Sequence, residues 1–297
     1  MVAVVRIIVN RYSAKGVKVW KEVKKSIEEC GMEYDFVMTG EEHAGELAKE
    51  AREEGVERIF VVGGDGTINE VVNGLEAKGI VLGIIPAGRG NDFAKMLGIK
   101  SVEDGISSMS GGHTRTVDVG FANDRYFVNN LGIGAAARAV RICNGLRKIT
   151  GRPGYLVGAL AALFECRPFD VEVESRDFRF SGEALGIAVG NGRFHGGFFA
   201  LTPGAEIDDG LLDVCVIRKI GRVKGVLSIP SAIKGTHTFL KEAETFRTNW
   251  LRIRSRTAFS VHSDGELAEG RLNELEVKVL NKRLQVCVGT EMIGREQ

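Results

Sequence analysis

The chain has 297 residues, of which 44% are hydrophobic and 27% charged, with a formal net charge of +1. This length is comfortable for two domains, and the near-zero charge gives no general electrostatic basis for binding nucleic acid. No apolar run reaches the ~18 residues of a membrane-spanning helix, and the five cysteines show neither disulfide-framework nor zinc spacing. We therefore expect a cytoplasmic protein that contacts a membrane only at its surface.

The first part of the chain, 1–120, alternates strand and helix patterns. Apolar runs predict strands at 2–9, 34–38, 58–62 and 80–85, and helical spacing predicts helices at 18–30, 41–54, 68–75 and 92–97. Because the strands are separated by helices at this spacing, the pattern predicts an α/β domain, a parallel sheet with helices on both faces.

The second part, 121–283, is rich in strand patterns separated by turns with Gly, Asn and Asp. Strands are predicted at 126–130, 169–174, 178–180, 184–189, 212–217, 246–253, 257–261 and 275–279, with helices at 135–146, 155–164 and 223–229. This pattern predicts a mainly β second domain, built as a sandwich.

A glycine-rich turn, Gly63-Gly64-Asp65-Gly66-Thr67, follows the third predicted strand. Backbone N–H groups in such a turn approach phosphate closely, and the start of the following helix adds a favourable dipole. Asp65 is placed to hold Mg²⁺ against the phosphates, and Thr67 to donate its hydroxyl or cap the helix. The alternative is a strand–turn–helix with ordinary Asp-Gly turn chemistry. The doubled glycine directly after an apolar strand favours phosphate binding.

A second loop, at 84–95, reads I-I-P-A-G-R-G-N-D-F-A-K. Gly88 and Gly90 permit a tight backbone, and Arg89 is a cation of the kind that binds phosphate oxygens. Asn91 and Asp92 begin a helix, and taken alone they also fit a simple loop with an N-cap.

A third glycine pattern, L-G-I-G-A-A-A at 131–137, satisfies the G-x-G-x-x-A spacing of dinucleotide sites. The βαβ unit and the acid ~20 residues on that such a site needs do not follow it. The pattern therefore favours a close-packed turn between a strand and a helix.

Together, the first two loops resemble the catalytic domain of the diacylglycerol-kinase family. The carrying motifs are G-G-D-G-T-I-N-E at 63–70 and P-x-G-x-x-N-D-F-A at 86–94. The segments P-G-A-E-I-D-D-G-L-L-D-V at 203–214 and S-D-G-E at 263–266 resemble the family's second domain. NAD kinases share the first motif and the fold, but not the second motif. The resemblance implies an N-terminal nucleotide domain, a C-terminal β-sandwich, and a last segment, 284–297, that returns to the first domain.

The resemblance also implies a binding site for ATP. Its residues are Asn10, Ser13, Thr39, Gly63, Gly64, Asp65, Gly66, Thr67, Asn69, Glu70, Gly88, Arg89, Asn91 and Asp92. Two positions depart from the family's pattern. The usual Asn-Pro followed by Ser-Gly appears as Asn-Arg-Tyr-Ser-Ala at 10–14, and Arg89 replaces the Thr of many members.

The activity that the resemblance implies is ATP- and Mg²⁺-dependent phosphorylation of a lipid hydroxyl. Asp65 supplies a carboxylate at the phosphate loop, and Glu266 matches the general base that accepts the proton of the hydroxyl. From the residues alone, Glu266 is a solvated residue after an Asp-Gly hairpin turn. Diacylglycerol is the default acceptor, with other lipid alcohols as alternatives.

Two sets of metal ligands follow from the same resemblance. Asp92 and Asp118 resemble acids that hold Mg²⁺ through water, although Asp118 also fits a polar residue at a strand end. Asp209 would give a carboxylate to a structural cation, and Glu206 and Leu211 mainly backbone carbonyls. A surface Asp-Asp-Gly turn is the alternative for this second set.

Three further points concern partners and competing functions. A basic cluster beside the apolar stretch 155–164 predicts either a surface for anionic lipid or a solvated helix face, and it comprises Arg138, Arg141, Arg147, Lys148 and Arg152. Family members often dimerise, which leaves a homodimer open. The competing functions are an NAD-kinase-like enzyme acting on a soluble alcohol and a non-catalytic nucleotide- or membrane-binding relative.

Overall fold

The computed structural model describes residues 5–13, 15–30, 33–146 and 152–293. The chain divides into two compact units, one formed by Met1–Val119 with Lys282–Gln297 and the other by Gly120–Asn281. Every helix in the described part of the chain is too short or too polar to cross a bilayer.

The first unit is built on a parallel sheet with strand order β4-β3-β1-β2. Its strands are β1 (Val5–Val9), β2 (Tyr34–Met38), β3 (Arg58–Gly63) and β4 (Val81–Pro86). Its helices are α1 (Gly16–Cys30), α2 (Ala44–Glu53), α3 (Asp65–Gly74), α4 (Asp92–Met96) and α5 (Val102–Gly111). These elements confirm the predicted α/β class.

Burial explains why the strands of this unit read as continuous apolar runs. All five residues of β1 are buried, as are five of the six in β3, because helices cover a parallel sheet on both faces. On one face Ile7 and Phe60 pack against Trp20 and Val23 of α1. The predicted sheet is therefore held by its apolar core.

The second unit is antiparallel. Its strands are β5 (Thr114–Ala122), β6 (Arg125–Phe127), β7 (Asn130–Gly134), β8 (Phe169–Ser175), β9 (Arg179–Gly190), β10 (Leu212–Arg218), β11 (Ala243–Thr248), β12 (Trp250–Phe259), β13 (Val261–Ser263), β14 (Glu266–Leu267) and β15 (Leu272–Cys287). They are accompanied by α6 (Ala135–Gly145), α7 (Arg152–Glu165), α8 (Arg222–Lys234) and a 3₁₀ turn at Thr236–Phe239. Two strands, β5 and β15, extend into the first unit, where β15 pairs parallel with β4 and α9 (Thr290–Ile293) follows.

Alternating side chains form the core of this unit. In β8, Val171 and Val173 are buried while Asp170 and Glu172 are exposed, which is the period of a strand with one covered face. Val171 and Val173 belong to an apolar cluster drawn from most of the strands of the unit. The predicted β-sandwich is confirmed.

Candidate functional site

Four segments of the first unit begin where parallel strands end. Asn10 follows β1, Thr39 follows β2, Gly64 follows β3 and Ala87 follows β4. Parallel strands place their carboxyl ends along one edge of a sheet, and ligands bind there where the strand order reverses direction. In this unit that point lies between β1 and β3.

Hydrogen bonds connect the segments that follow β1, β3 and β4. Asn10 Nδ2 donates to Thr67 Oγ1 at 2.7 Å, and Ser13 Oγ donates to the Ala87 carbonyl at 2.6 Å. Asn10 Oδ1 accepts the backbone N–H groups of Tyr12 and Ser13. The altered loop after β1 therefore still brings Asn10 and Ser13 to the two glycine loops.

The two glycine loops touch through their backbones. A Cβ placed on Gly64 would lie 2.8 Å from Gly88 Cα, and one on Gly88 would lie 2.4 Å from Gly64 Cα. Asn91, in the left-handed region at φ 52°, fixes the second loop because its Oδ1 accepts Gly88 N–H at 2.9 Å. The contact leaves room for backbone alone, which fits a cradle for phosphate groups.

Asp65 links the start of α3 to the start of α4. It is the first residue of α3, with Gly64 as N-cap, and its Oδ1 accepts Phe93 N–H at 3.1 Å. The neighbouring Asp92 is 3% exposed and pairs with Lys95 at 3.1 Å. The first N–H groups of α3 have no carbonyl partner within the helix, so an anion at this end is favoured.

Other predicted nucleotide residues have different surroundings. Thr39 is buried and its Oγ1 accepts Arg11 N–H at 3.3 Å, whereas Arg89 is exposed. Further along α3, Asn69 is buried, and Glu70 Oε2 accepts Ala44 N–H at 3.1 Å and so fixes the start of α2. Glu70 thus has a structural role whatever it does for a nucleotide.

Asp118, predicted as a metal-holding acid, is fully buried in β5. Its Oδ1 accepts the backbone N–H of Lys282 at 2.7 Å. Lys282 has a φ of 47°, a conformation that costs energy for a side chain other than Gly, Asn or Asp. Asp118 therefore fixes the irregular point from which β15 continues into the first unit.

The S-D-G-E motif forms the turn between β13 and β14. Asp264 and Gly265 have φ values of 49° and 89°, as a two-residue hairpin requires, and Glu266 follows exposed. The Asp-Gly hairpin turn that the residues alone predict is therefore present, and Glu266, the predicted general base, directly follows it.

The sequence does not predict the role of Asp264, which is to anchor the hairpin. It is 3% exposed, and its carboxylate accepts three backbone N–H groups, from Val128, Asn129 and Asn130, at 2.8–2.9 Å. A buried carboxylate with several N–H donors is strongly held. It anchors the hairpin on which Glu266 is mounted. The sequence S-D-G-E predicts a turn, but it does not indicate that the backbone N–H groups of residues 128–130 donate to Asp264.

Three buried histidines lie in the same unit. Burial, and to a lesser degree His262 and His237, lowers the pKa of His195 to about 3. Burial lowers the pKa of His262 to about 4 and also lowers that of His237. His195 Nε2 lies 3.2 Å from Thr202 Oγ1. These rings are neutral core groups near neutral pH.

The predicted structural-cation residues already face arginines. Asp209 pairs with Arg247, its Oδ1 accepts Leu211 N–H at 3.0 Å, and Glu206 lies 3.9 Å from Arg193. A cation at the Asp209 carboxylate would have to displace the Arg247 guanidinium group, and the backbone carbonyls of Glu206 and Leu211 stay predicted ligands. Across residues 5–13, 15–30, 33–146 and 152–293, no group of three His, Cys, Asp or Glu side chains is arranged to hold a metal ion.

Two surface and packing predictions concern α6 and its surroundings. A Cβ on Gly132 would lie 2.3 Å from His262 Nε2, and Gly134 has a φ of 67°, so the G-x-G pattern forms a tightly packed strand–helix turn. In the predicted basic cluster, Arg138 pairs with Glu165. Arg147 and Lys148 lie outside the described residues, as does the side chain of Arg152.

Comparison with known proteins agrees with this geometry. Residues 4–122 match the model of the diacylglycerol kinase catalytic domain, and residues 129–288 match the YegS C-terminal NAD kinase beta sandwich-like domain. The chain is 30% identical to a protein named diacylglycerol kinase from Bacillus subtilis, over 88% of this chain and 89% of that one. It is also 30% identical to the "Probable lipid kinase YegS-like" protein of Pseudomonas aeruginosa, over 89% and 88%.

A solved structure extends the likeness to the fold of the whole chain. The crystal structure of a diacylglycerol kinase from Bacillus anthracis superposes with a TM-score of 0.76 at 22% identity, covering 97% of this chain and 98% of that one. The predicted family is confirmed by the two domain matches and the relatives that span nearly the full length. This chain belongs to the diacylglycerol-kinase family of lipid kinases.

Proposed function

We propose that this chain transfers the γ-phosphate of ATP to a lipid hydroxyl, with Mg²⁺ as cofactor and diacylglycerol as the first acceptor to test. The observation that carries the proposal is the backbone contact between Gly64 and Gly88 beside the start of α3. Phosphoryl transfer depends mainly on positioning and charge neutralisation, which a rigid loop of N–H donors supplies. Contact with a membrane surface follows from a lipid acceptor.

The residues after β1 and β3 would hold the nucleotide. The N–H groups of Gly64, Asp65 and Gly66 suit its phosphates, and the bonded pair Asn10–Thr67 fixes the loops around them. Bound Mg²⁺ would neutralise charge on the transferred group. Asp65 is the carboxylate best placed by sequence to meet it, with Asp92 and Asp118 proposed as more distant acids.

The second unit would supply the base. Glu266 is proposed to accept the proton of the lipid hydroxyl, since a carboxylate on a firmly anchored hairpin has a fixed position. Asp264 would act as a positioning residue through its three N–H partners. Its effect on the reaction would therefore pass through Glu266.

The test is incorporation of labelled γ-phosphate from ATP into a panel of lipids in mixed micelles with Mg²⁺. We expect Asp65→Asn and Glu266→Gln each to lower kcat by about 100-fold or more. The matched control is Glu269→Gln, which removes an exposed carboxylate three residues further along the same segment and should leave kcat unchanged. Equal rates for Glu266→Gln and wild type would exclude Glu266 as the base.

The same experiment separates the two competing functions. Phosphorylation of NAD, with no phosphorylation of any lipid, would indicate an NAD-kinase-like enzyme. We test this alternative because the second unit matches an NAD kinase beta sandwich-like domain. ATP binding without transfer to any acceptor would indicate a non-catalytic relative.

A further inference from the structure

An exposed apolar surface lies on the excursion of the chain between β10 and β11. Val223 and Leu227 of α8 and Phe239 of the 3₁₀ turn are 76%, 75% and 88% exposed. Val223 and Leu227 are four residues apart and so share one face of the helix. Large apolar side chains this exposed, on one stretch of the chain, are candidates for an interaction site. We call these three residues the α8 patch.

The patch is held on a firm base. Arg218 N–H donates to the Glu242 carbonyl at 2.8 Å, which closes the excursion, and Lys224 Nζ contacts the Glu242 carboxylate at 2.6 Å. The buried face of α8 packs on α7, where a Cβ on Gly225 would lie 3.2 Å from Leu163 Cδ2. The opposite face of α8 therefore presents Val223 and Leu227.

The charged residues of the segment that carries the patch are all basic. The segment 218–241 has no acidic residue, and its cations are Arg218, Lys219, Arg222, Lys224, Lys234 and Lys241. Arg218, Lys219 and Lys224 pair with carboxylates outside the segment. Arg222, Lys234 and Lys241 are exposed. Apolar side chains flanked by cations match the two layers of an anionic membrane surface, acyl chains below and phosphates above.

We propose that the segment 218–241 docks the protein on anionic lipid bilayers, with the α8 patch entering the headgroup boundary and Arg222, Lys234 and Lys241 meeting lipid phosphates. The proposal deepens the proposed lipid-kinase function, on which its biological purpose rests, but the docking itself does not require turnover. A second copy of the chain is the weaker occupant. A stable dimer buries about 800 Å² on each partner, more than three side chains provide, and cationic surfaces on two copies would repel each other.

The test is sedimentation of the full chain with vesicles of phosphatidylcholine containing phosphatidylglycerol, and with vesicles of phosphatidylcholine alone, without ATP. Wild type should bind the anionic vesicles at least tenfold more tightly than the neutral ones. The variant Val223→Ser/Leu227→Ser/Phe239→Ser should lose at least tenfold on anionic vesicles, and Arg222→Gln/Lys234→Gln/Lys241→Gln should lose the preference for them.

Matched controls change equivalent residues elsewhere. Val17→Ser replaces an exposed apolar residue of α1, and Lys24→Gln/Lys25→Gln removes two exposed cations of the same helix. Val157→Ser/Phe164→Ser tests the α7 surface, for which the sequence leaves lipid contact and a solvated helix face open. Thermal unfolding should be unchanged in the patch variants, since the replaced side chains face solvent.

The outcomes are distinct. Unchanged vesicle binding by the patch variant, equal loss in the α1 controls, loss confined to the α7 variant, or a dimer that only the patch variant dissociates would each overturn the docking proposal. If wild type binds anionic vesicles through the patch but phosphorylates no lipid, docking stands and the kinase proposal fails. If the protein phosphorylates a short-chain diacylglycerol in solution but its vesicle binding does not depend on the patch, the kinase proposal stands and the docking proposal fails.

Discussion

At Gly88 the absence of a side chain keeps two loops in contact. A Cβ there would lie 2.4 Å from Gly64 Cα and 2.8 Å from Asn91 Oδ1, and the first of these neighbours is backbone that cannot swing aside. We expect Gly88→Ala to separate the loops and to lower the free energy of unfolding by about 1–3 kcal/mol. If the loops hold phosphate, the affinity for ATP should fall by about tenfold or more.

The measurement is urea denaturation together with titration of ATP. Gly111→Ala is the matched control in the same unit, because a Cβ at Gly111 meets only His113 Cδ2, at an ordinary 3.7 Å. Retention of wild-type ATP affinity by Gly88→Ala would contradict the assignment of these loops to the nucleotide, even if stability falls.

Residue identity predicts some of this site and not the rest. The glycines within 63–66 and 88–90 predict that backbone segments approach each other closely, and Gly64 and Gly88 are in such contact. The three N–H bonds to Asp264 join residues 134–136 positions apart, and a single sequence carries no signal for that pairing. The roles of Glu266 and Asp118 in catalysis stay predictions.

At the scale of elements, the Asp118 side chain fixes one irregular point within β15. Asp118 accepts the N–H of Lys282, whose positive φ lies between the parts of β15 that belong to the two units. Asp118→Ala leaves that N–H without its charged acceptor, so we expect the free energy of unfolding to fall by about 2–3 kcal/mol. Asp124→Ala, at an exposed position in the turn after β5, should change it by less than about 0.5 kcal/mol. Equal effects in urea denaturation would mean that the bond contributes little.

The existence of a helix or strand was predictable where apolar side chains repeat with the period of that element, but the residues at which it begins and ends were not. The helix predicted at 68–75 begins earlier, at Asp65, because Ile68 N–H bonds to the Gly64 carbonyl. The sequence does not indicate this start because the residues of the first turn are poor helix formers. The strand predicted at 275–279 and most of the first part of the predicted last segment belong to one longer strand, β15. Its middle residues Asn281 and Lys282 are exposed, so no apolar run marks their place in the strand. Helix α5 was missed, although Ser101 and Asp104 form a capping box that signals its start.

For the molecule as a whole, periodicity was enough to separate the two architectures. Strands buried on both faces gave unbroken apolar runs in the first unit, and strands with one buried face gave alternation in the second. Strand order is a different matter. Strand β9 pairs with β8 in a local hairpin, but its pairing with β7 and with β10 joins distant segments, and local pattern does not encode such pairing.

The buried histidines make the stability of the second unit depend on pH. His195 and His262 have pKa values of about 3 and about 4 when folded, against an ordinary value of 6.5. Below pH 6.5 the unfolded chain therefore binds protons that the folded chain does not. Each ring lowers the free energy of unfolding by about 1.4 kcal/mol per pH unit as pH falls from 6.5 towards its folded pKa. Burial raises the pKa of Asp213 to about 6, which acts in the opposite direction over part of this range.

Variants isolate the histidine contribution from that of Asp213. Between pH 6.5 and 5, His262→Gln should lose about 2 kcal/mol less of its free energy of unfolding than wild type, measured by urea denaturation at both values. His195→Gln should behave alike, which keeps the test open if one variant is too unstable to fold. The control is His113→Gln, which removes an exposed imidazole in place of a buried one. A wild-type slope in both buried-site variants would mean that these rings titrate as easily in the folded chain as in the unfolded one, and that burial does not keep them neutral.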